Sequence, residues 1–389
     1  MYLPPVFFMD KITSLINEIN KSVLKTSHIH CAYNKMCGQL SLDDIFTTDI
    51  VYMEAKRCAS GFGDKSDTRA FMKNAWVNSY RLCEKVLNGK YKPRYYPKKT
   101  IIERGKARII KPPYFECKVV QKVLCDFIIR PLFEPKMVST CYASVRGRGT
   151  EKMLQDIVRC LNKTYLKNPK AFITTVDFTG YFASIDVNIL KEIFLRYIMD
   201  ERIVELIVLF SDEDGLSLGN ETSQIPASFF PSFIDHYFKD RLGVKLFRYM
   251  DDSLFVTEDK DMAERLEQLY IELAASRKLS IGEQKIHTYP IGTSITFCKE
   301  ALCFNHEKGY YYRNINHHIV VIQEKKMKEF SKMLIAGSIP FEYVSNQFRT
   351  VRGMISSKPN THKVVSHLNE LYAEILIKMK NNDCIEKTE

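Results

Sequence analysis

Three aspartates end or interrupt apolar runs, where metal-assisted phosphoryl transfer could use them. Asp177 ends the apolar, β-rich residues 171–177, and the adjacent Asp251 and Asp252 divide the apolar residues 244–256. Transfer of a nucleotidyl group needs charge neutralisation and alignment more than covalent help, and two divalent ions held by carboxylates can supply both. Each piece alone has an ordinary alternative, because aspartates are common in turns and at helix caps. The chemistry therefore requires that the strands carrying the three aspartates adjoin in one sheet.

The surrounding periodicity predicts the elements that would hold these carboxylates. Residues 171–177 predict a buried strand that ends on Asp177, and residues 244–256 predict a hairpin with Asp251 and Asp252 at its turn. Residues 100–113 predict another hairpin, which a helix follows. Apolar residues at helical spacing predict helices in about residues 10–90 and again beyond His317.

Composition favours a globular protein with a polyanionic partner. The chain of 389 residues is 45% hydrophobic, which is enough to bury a sizeable core and to form two or three subdomains. Its formal net charge is +11, and residues 89–122 alone contain eleven Lys or Arg against two Glu, interleaved with tyrosines. Cations can neutralise phosphates while rings stack on bases, although a solvated charged face is the alternative.

Cysteine usage and the first residues bear on the compartment. The eleven cysteines include no C-x-x-C pair, so neither a zinc ribbon nor a disulfide framework is indicated, and we expect a cytoplasmic protein. The apolar first nine residues are short, lack a basic flank and meet Asp10 and Lys11 at once. We therefore expect neither a signal peptide nor a membrane partner.

Three segments in a fixed order resemble the catalytic motifs of reverse transcriptases. Residues 247–255, which contain Tyr249-Met250-Asp251-Asp252, resemble motif C, and residues 176–185 resemble motif A. Between them, residues 215–224 are similar to motif B. Residues 282–285 resemble the motif D lysine, while residues 102–109 and 142–149 resemble two blocks of the fingers. The resemblance covers roughly residues 98–303.

This resemblance implies an α+β fold of the right-hand polymerase class. It implies fingers over residues 91–170, a palm with an antiparallel sheet over residues 171–300 and a helical thumb over residues 301–389, after a helical N-terminal extension at residues 1–90. The implied activity is that of an RNA-directed DNA polymerase, a nucleotidyltransferase that adds dNTPs to a primer 3′-hydroxyl. The implied cofactor is a pair of Mg²⁺ ions, which Mn²⁺ could replace.

The resemblance also implies catalytic roles for residues of motifs A, C and D. Asp177 and Asp251 would be the principal metal ligands, Asp252 would support the site, and the carbonyl of Phe178 would complete a metal shell. Lys285 would protonate the leaving pyrophosphate as a general acid, with an ordinary surface lysine as the alternative.

Substrate-binding roles fall on residues of the fingers and of motifs A, B and C. Phe182 lies where the family places the aromatic steric gate against a ribose 2′-hydroxyl, although a core aromatic is the alternative. Lys106 and Arg108 would hold the incoming triphosphate, or else form a solvated hairpin tip. The remaining predicted contacts are Gly219, where backbone would approach the nascent base pair, Gln224 near the template, and Tyr249.

The string at residues 219–224 indicates a particular branch of the reverse transcriptases, but it leaves the biological role open. It resembles diversity-generating retroelement and defence-associated bacterial or phage enzymes of the group II intron-related lineage. Antiviral defence is the first hypothesis; alternatives are mutagenic diversity generation, untemplated or short-template DNA synthesis, and a catalytically silent nucleic-acid-binding scaffold. Expected partners are an RNA template, a DNA product or RNA–DNA duplex and dNTPs, with a dedicated non-coding RNA and an accessory protein as further candidates.

Overall fold

The computed structural model describes residues 37–61, 65–103, 106–314, 317–356 and 361–385. Contacts divide the chain into two compact units. The first unit comprises Met1–Val145, Thr179–His236 and Leu273–Ser280, and the second comprises Arg146–Phe178, Tyr237–Glu272 and Ile281–Glu389. The helical pattern predicted near the start of the chain, at residues 12–19, lies outside the described residues. No helix in the described ranges is long and apolar enough to cross a membrane.

The first unit is mainly helical, and its core is built from amphipathic helices. In chain order its first six helices are α1 (Leu42–Ile45), α2 (Thr48–Ser60), α3 (Ser66–Lys73), α4 (Ala75–Leu87), α5 (Phe115–Leu124) and α6 (Arg130–Phe133). Helix α2 begins after Thr47, whose hydroxyl accepts a hydrogen bond from the Ile50 amide at 3.3 Å. Helix α5 buries Val119 and Val120 completely and packs against α2. The predicted helical character of residues 10–90 is confirmed over the described residues 42–61 and 65–87.

A two-stranded hairpin follows these helices, as the sequence predicts. Strands β1 (Lys99–Glu103) and β2 (Lys106–Ile110) pair antiparallel, with Ile101 opposite Arg108 and Glu103 opposite Lys106. A π-helical turn (Cys125–Ile129) and a 3₁₀ turn (Glu134–Lys136) flank α6. The remaining helices of the first unit are α8 (Tyr181–Ser184), α9 (Val187–Leu195), α10 (Glu201–Val208), α11 (Glu221–Phe229) and α12 (Ser232–His236).

The second unit is organised around a four-stranded antiparallel sheet. Strand β3 (Phe172–Asp177) follows helix α7 (Thr150–Lys167), strands β4 (Lys245–Tyr249) and β5 (Asp252–Thr257) form a hairpin, and β6 (Ile286–Pro290) completes the order β4-β5-β3-β6. A π-helical turn (Tyr237–Arg241) precedes β4, and helix α13 (Lys260–Ala275) follows β5. Tyr270 of α13 is fully buried, and its hydroxyl lies 2.8 Å from the Ser253 hydroxyl of β5. Because neighbouring residues of a strand point to opposite faces, the residues beside Ser253 point away from α13.

A second sheet and a helical bundle complete this unit. Strands β7 (Ile295–Phe297), β8 (Glu300–Asn305) and β9 (Tyr310–Asn314) form an antiparallel meander, and helices α14 (His317–Ile335), α15 (Phe341–Ser356) and α16 (His362–Ile385) follow. The helices share a buried core that includes Met327, Val344 and Leu368. Helical structure therefore starts at His317, as its periodicity predicts. Residues 301–314, predicted as the start of a helical thumb, instead contain most of β8 and all of β9, because burial in β8 alternates with a period of two and pairing with β9 satisfies the backbone.

Candidate active site

Strand pairing brings the predicted catalytic residues of the second unit into one row across the sheet. Asp252 at the start of β5 pairs with Tyr249 on one side and with Asp177 at the end of β3 on the other. Val176 pairs with Ile286 at the start of β6, so Lys285, one residue earlier, continues the row beside Asp177. Residues directly opposite each other in antiparallel strands project to the same face. Asp177 and Asp252 therefore share the face that points away from Tyr270.

The turn between β4 and β5 presents Asp251 through an unusual backbone conformation. Tyr249 and Asp252 pair, so Met250 and Asp251 form a two-residue loop, and Met250 has φ of 56°. Positive φ at the first loop position is a feature of the type II′ hairpin turn, which glycine normally serves. A non-glycine residue there costs on the order of 1 kcal/mol or more. The turn that carries Asp251 is thus held in a conformation that its sequence does not favour locally.

Arg248 helps to hold this turn from the interior. Its side chain is fully buried, and its Nη1 donates a hydrogen bond to the Met250 carbonyl at 3.0 Å. A hydrogen bond from a charged donor contributes about 1.5–3 kcal/mol, which is comparable to the cost of the strained turn. The buried guanidinium therefore stabilises the backbone conformation that presents Asp251.

Lys285 forms an ion pair with the motif A aspartate. A short 3₁₀ turn (Glu283–Lys285) precedes β6, and the Nζ of Lys285 lies against Oδ2 of Asp177. Both side chains are about one third exposed, at 34% for Lys285 and 28% for Asp177. The structure thus places the lysine predicted from motif D directly at the cluster of carboxylates.

The surroundings of Asp252 in this cluster perturb the pKa of its carboxyl group. Burial, followed by repulsion from Asp251 and Asp177, raises the pKa of Asp252 from 3.8 to about 6. Two contacts act in the opposite direction, namely a hydrogen bond from the thiol of Cys298 and the positive charge of Lys285. Cys298 lies with Lys299 in the two-residue turn between β7 and β8. The hairpin of β7 and β8 therefore also contacts the row that contains Asp177 and Asp252.

The donor set fits a hard divalent cation in its chemistry and its charge. Three carboxylates repel one another strongly enough to perturb the pKa of Asp252, and a cation beside them would relieve that repulsion. Within the described ranges, no three His, Cys, Asp or Glu side chains are already arranged to hold a metal ion. The Lys285 ammonium lies against Oδ2 of Asp177, so a metal ion bound by this oxygen would compete with the lysine for it.

Phe178 and Tyr249 border the row. The ring of Phe178 is buried, and its centroid lies 6.0 Å from that of Tyr270, so the residue is anchored immediately after Asp177. Tyr249 ends β4 half-buried. The row thus unites six of the predicted site residues: Asp177, Phe178, Tyr249, Asp251, Asp252 and Lys285.

The predicted steric-gate residue lies in the first unit, tied to the start of the predicted motif B. Phe182 of α8 is half-buried rather than a core residue, and its carbonyl accepts a hydrogen bond from the Leu216 amide at 2.8 Å. Gly215 has φ of +110°, and a Cβ there would lie 2.5 Å from the Phe182 carbonyl oxygen. Glycine at this position therefore permits the close approach of the two segments.

Gly219 and Gln224 are placed by a buried polar network. Gly219 has φ of +103° and precedes Asn220. The side-chain nitrogen Nδ2 of Asn220 donates a hydrogen bond to the Phe210 carbonyl at 2.8 Å. The Asn220 side-chain oxygen accepts from Gln121 at 3.0 Å, and the Gln121 oxygen accepts from the backbone at the start of α11 at 2.7 Å. Gln224 lies half-buried on that helix. The network fixes the loop that contains Gly219 against α5.

The fingers residues lie on the second strand of the first-unit hairpin. Lys106 begins β2, and Arg108 lies two residues further along the same strand, half-buried. Their role in holding a triphosphate stays a prediction.

Sequence reasoning missed four residues that the structure places in these sites. Arg248 precedes the predicted motif C tyrosine, and a charged residue directly between Phe247 and Tyr249 was a usable signal. Asn220 and Gly215 lay inside the predicted motif B without an assigned role. Cys298 gave no signal, because only the pairing of distant strands brings it to Asp252.

No curated protein matches this sequence. Among solved structures, telomerase from Candida albicans in complex with a fragment of telomeric RNA matches with a TM-score of 0.42 and 14% identity. That alignment covers 75% of this chain, which spans 58% of the telomerase chain.

One family model matches the part of the chain that contains the predicted motifs. The model of the family described as "Reverse transcriptase (RNA-dependent DNA polymerase)" matches residues 96–332, more than half of the chain. It confirms the predicted α+β fold of the right-hand polymerase class and the predicted enzyme class, since members are RNA-directed DNA polymerases and thus nucleotidyltransferases. The four-stranded sheet with paired aspartates is where such a family would have its catalytic motifs. This chain belongs to the reverse transcriptase family.

Proposed function

We propose that the chain is an RNA-directed DNA polymerase that adds dNTPs to a primer 3′-hydroxyl with two bound metal ions. The observation that carries this proposal is the register of the palm sheet, which pairs Asp177 with Asp252 and leaves Asp251 at the adjoining turn. Carboxylates on neighbouring rigid strands are what a two-metal site requires.

The metal ions would be held by carboxylates and one backbone carbonyl. Asp177, Asp251 and Asp252, with the carbonyl of Phe178, would bind two Mg²⁺, or Mn²⁺ in their place, and the ions would supply charge neutralisation for the transferred phosphate. Nζ of Lys285 lies against Asp177, and this lysine would deliver a proton to the pyrophosphate leaving group. The same ammonium would limit repulsion among the carboxylates whenever they are not neutralised otherwise.

Substrate selection would rest on the first-unit residues. Lys106 and Arg108 would bind the triphosphate, and the half-buried ring of Phe182 would exclude a ribose 2′-hydroxyl and so favour deoxynucleotides. Gly219 and Gln224 would position the template–nucleotide pair. The palm residue Tyr249 would contact the substrates beside the carboxylates.

The domain division and the biological role are also part of this proposal. We assign residues 1–90 to an extension, 91–170 to fingers, 171–300 to palm and 301–389 to thumb. The string at residues 219–224 supports a place near defence-associated and diversity-generating enzymes, and we propose antiviral defence as the role, in the cytoplasm. Partners would be an RNA template, an RNA–DNA duplex and dNTPs, together with a dedicated non-coding RNA and an accessory protein.

Primer extension tests the activity. Wild-type protein should extend a DNA primer on an RNA template with Mg²⁺, and Asp251→Asn should lower the rate by about a hundredfold or more while RNA binding persists. Glu258→Gln is a matched control, since Glu258 is an exposed carboxylate of the same unit just beyond β5. If wild type never incorporates nucleotide yet binds RNA, the chain is a nucleic-acid-binding scaffold and the proposal fails.

Sequencing of copurified nucleic acid tests the role. DNA copied from one discrete RNA, present with wild type and absent with the Asp251→Asn, Asp252→Asn double variant, would identify the template. Loss of phage resistance in cells that carry the double variant is the result that defence requires. Repetitive DNA would instead indicate untemplated or short-template synthesis, and unchanged phage resistance would exclude the defence role.

A further inference from the structure

The first unit contains a cleft whose lining includes none of the residues proposed for polymerisation. Its volume is about 400 Å³, and it lies among α9, the end of α11 and helix α12. The lining residues are Lys136, Ile193, Arg196, Tyr197, Phe229, Ser232, Phe233, His236 and Arg277. This volume is within the range of small-ligand sites, which are typically about 300–1,000 Å³.

The charge of the cleft has one sign. Three of its nine lining residues are Lys or Arg, and none is an Asp or Glu. In the described part of the chain, no carboxylate forms an ion pair with Lys136, Arg196 or Arg277. Other cations of this unit do have acidic partners; Lys122 and Arg130, for example, share Asp126 and Glu221. The cleft therefore concentrates uncompensated positive charge.

The arginine at the cleft wall is held in place rather than free in solvent. Nη1 of Arg277 donates a hydrogen bond to the Phe230 carbonyl, and the guanidinium lies 3.8 Å from the ring centroid of Phe233. Partial burial, and then the neighbouring charge of Arg196, lower the pKa of Arg277. The two guanidinium groups are thus close enough to repel each other. An anion between them would remove that repulsion at little cost in side-chain entropy, because Arg277 is already ordered.

Aromatic rings and polar groups complete the lining. Nζ of Lys136 lies 4.8 Å from the ring centroid of Tyr197, which is 38% exposed. His236 donates from Nε2 to the Lys136 carbonyl at 2.8 Å, since a carbonyl can only accept. Ser232 adds a buried hydroxyl-bearing side chain. Guanidinium forks match phosphate oxygens, and exposed rings offer a surface for a base.

We propose that this cleft binds a nucleotide through its phosphate, with Arg196 and Arg277 as the phosphate ligands and Tyr197 beside the base. The nucleotide would be either free or an unpaired residue of an RNA strand, since both present the same chemistry. The site is separate from the residues assigned to polymerisation. It does not depend on the proposed activity, because binding can be measured without turnover.

Fluorescence anisotropy tests the proposal with two probes, a short labelled single-stranded RNA and a labelled adenosine monophosphate. Measurements are made in EDTA on full-length protein carrying Asp251→Asn, so that no synthesis contributes. Arg196→Glu should weaken binding of at least one probe by about tenfold or more, the effect expected for losing a charge-assisted hydrogen bond and reversing the charge. Arg81→Glu is the matched control, because Arg81 is exposed on α4 of the same unit.

The pattern of losses identifies the source of the nucleotide. Loss with RNA alone assigns the cleft to an RNA strand, whereas loss with both probes assigns it to a free nucleotide as well. Equal effects of Arg196→Glu and Arg81→Glu on both probes would overturn the proposal. So would displacement of both probes by oligoglutamate as effectively as by unlabelled nucleotide, since the cleft would then recognise charge in an acidic peptide.

A second variant separates a ligand role from a structural one. Arg277→Gln removes charge but keeps a donor for the Phe230 carbonyl, and a thermal melt shows whether the variant folds. The salt dependence of RNA binding gives a separate test. If an RNA phosphate occupies the cleft, Arg196→Gln should reduce the slope of log affinity against log salt by about 0.7, the value for one phosphate of a single strand. If wild type and Arg196→Gln have the same slope, and nucleotide binding is also unchanged, no phosphate is bound there.

Discussion

Asp252 should destabilise the metal-free protein at neutral pH, and replacing it by asparagine should relieve this effect. Its pKa is raised from 3.8 to about 6 by burial and by the charges of Asp251 and Asp177. Asparagine keeps the shape and can still accept the hydrogen bond from Cys298, but it cannot ionise. We therefore expect Asp252→Asn to raise the free energy of unfolding above that of wild type when no divalent metal is present.

The magnitude and the pH window follow from the size and sign of this shift. Below about pH 4 the carboxyl is protonated in both states, so ionisation makes no difference to stability. Between about pH 4 and pH 6 the unfolded chain releases the proton while the folded chain keeps it, so wild type loses about 1.4 kcal/mol per pH unit. Above pH 6 the loss is constant at about 3 kcal/mol, which is the advantage expected for Asp252→Asn.

Urea unfolding in EDTA at a series of pH values from 4 to 8 measures the difference between variant and wild type. The difference should grow from pH 4 to pH 6 and then stay level, whereas Glu258→Gln, at an exposed site, should follow wild type throughout. Added Mg²⁺ at a hundred times its dissociation constant should restore about 2.7 kcal/mol to wild type and less to the variant. A difference that is the same at pH 4 and pH 8 would refute the electrostatic reasoning.

Two further predictions concern the first unit. Gly215→Ala should lower the free energy of unfolding by about 2–4 kcal/mol in urea denaturation, because a Cβ would lie 2.5 Å and 2.8 Å from the carbonyl oxygens of Phe182 and Ala183 at φ of +110°. Gly353→Ala, on α15 with nothing within 4 Å, should instead raise it by up to about 1 kcal/mol, and equal effects at the two sites would contradict the close approach. Phe182→Val should raise incorporation of ribonucleotides relative to deoxynucleotides by about tenfold or more, measured as the ratio of kcat/KM values. Unchanged discrimination would show that the ring is not the steric gate.

Local patterns were sufficient for the elements around the candidate site. The strand ending on Asp177, the hairpin around Asp251 and the fingers hairpin are all confirmed by the structure. Alternating or continuous apolar runs bounded by turn residues define these elements, and this information lies within a few consecutive residues. The boundary at residue 301 had no such basis. The two-residue period of burial in residues 300–305 shows that strand structure continues past it.

The sequence by itself determined the family of this protein, because segments that resemble the motifs of reverse transcriptases follow one another in the family's order and the family model matches residues 96–332. Only the tertiary structure decided which side chains surround them. Pairing of β3 with β5 and β6 brings Lys285 to Asp177, and the β7–β8 turn brings Cys298 to Asp252. The tertiary structure likewise buries Arg248 beside the turn that presents Asp251. Contacts between strands far apart in the chain depend on packing of the whole sheet, and no local period encodes that packing.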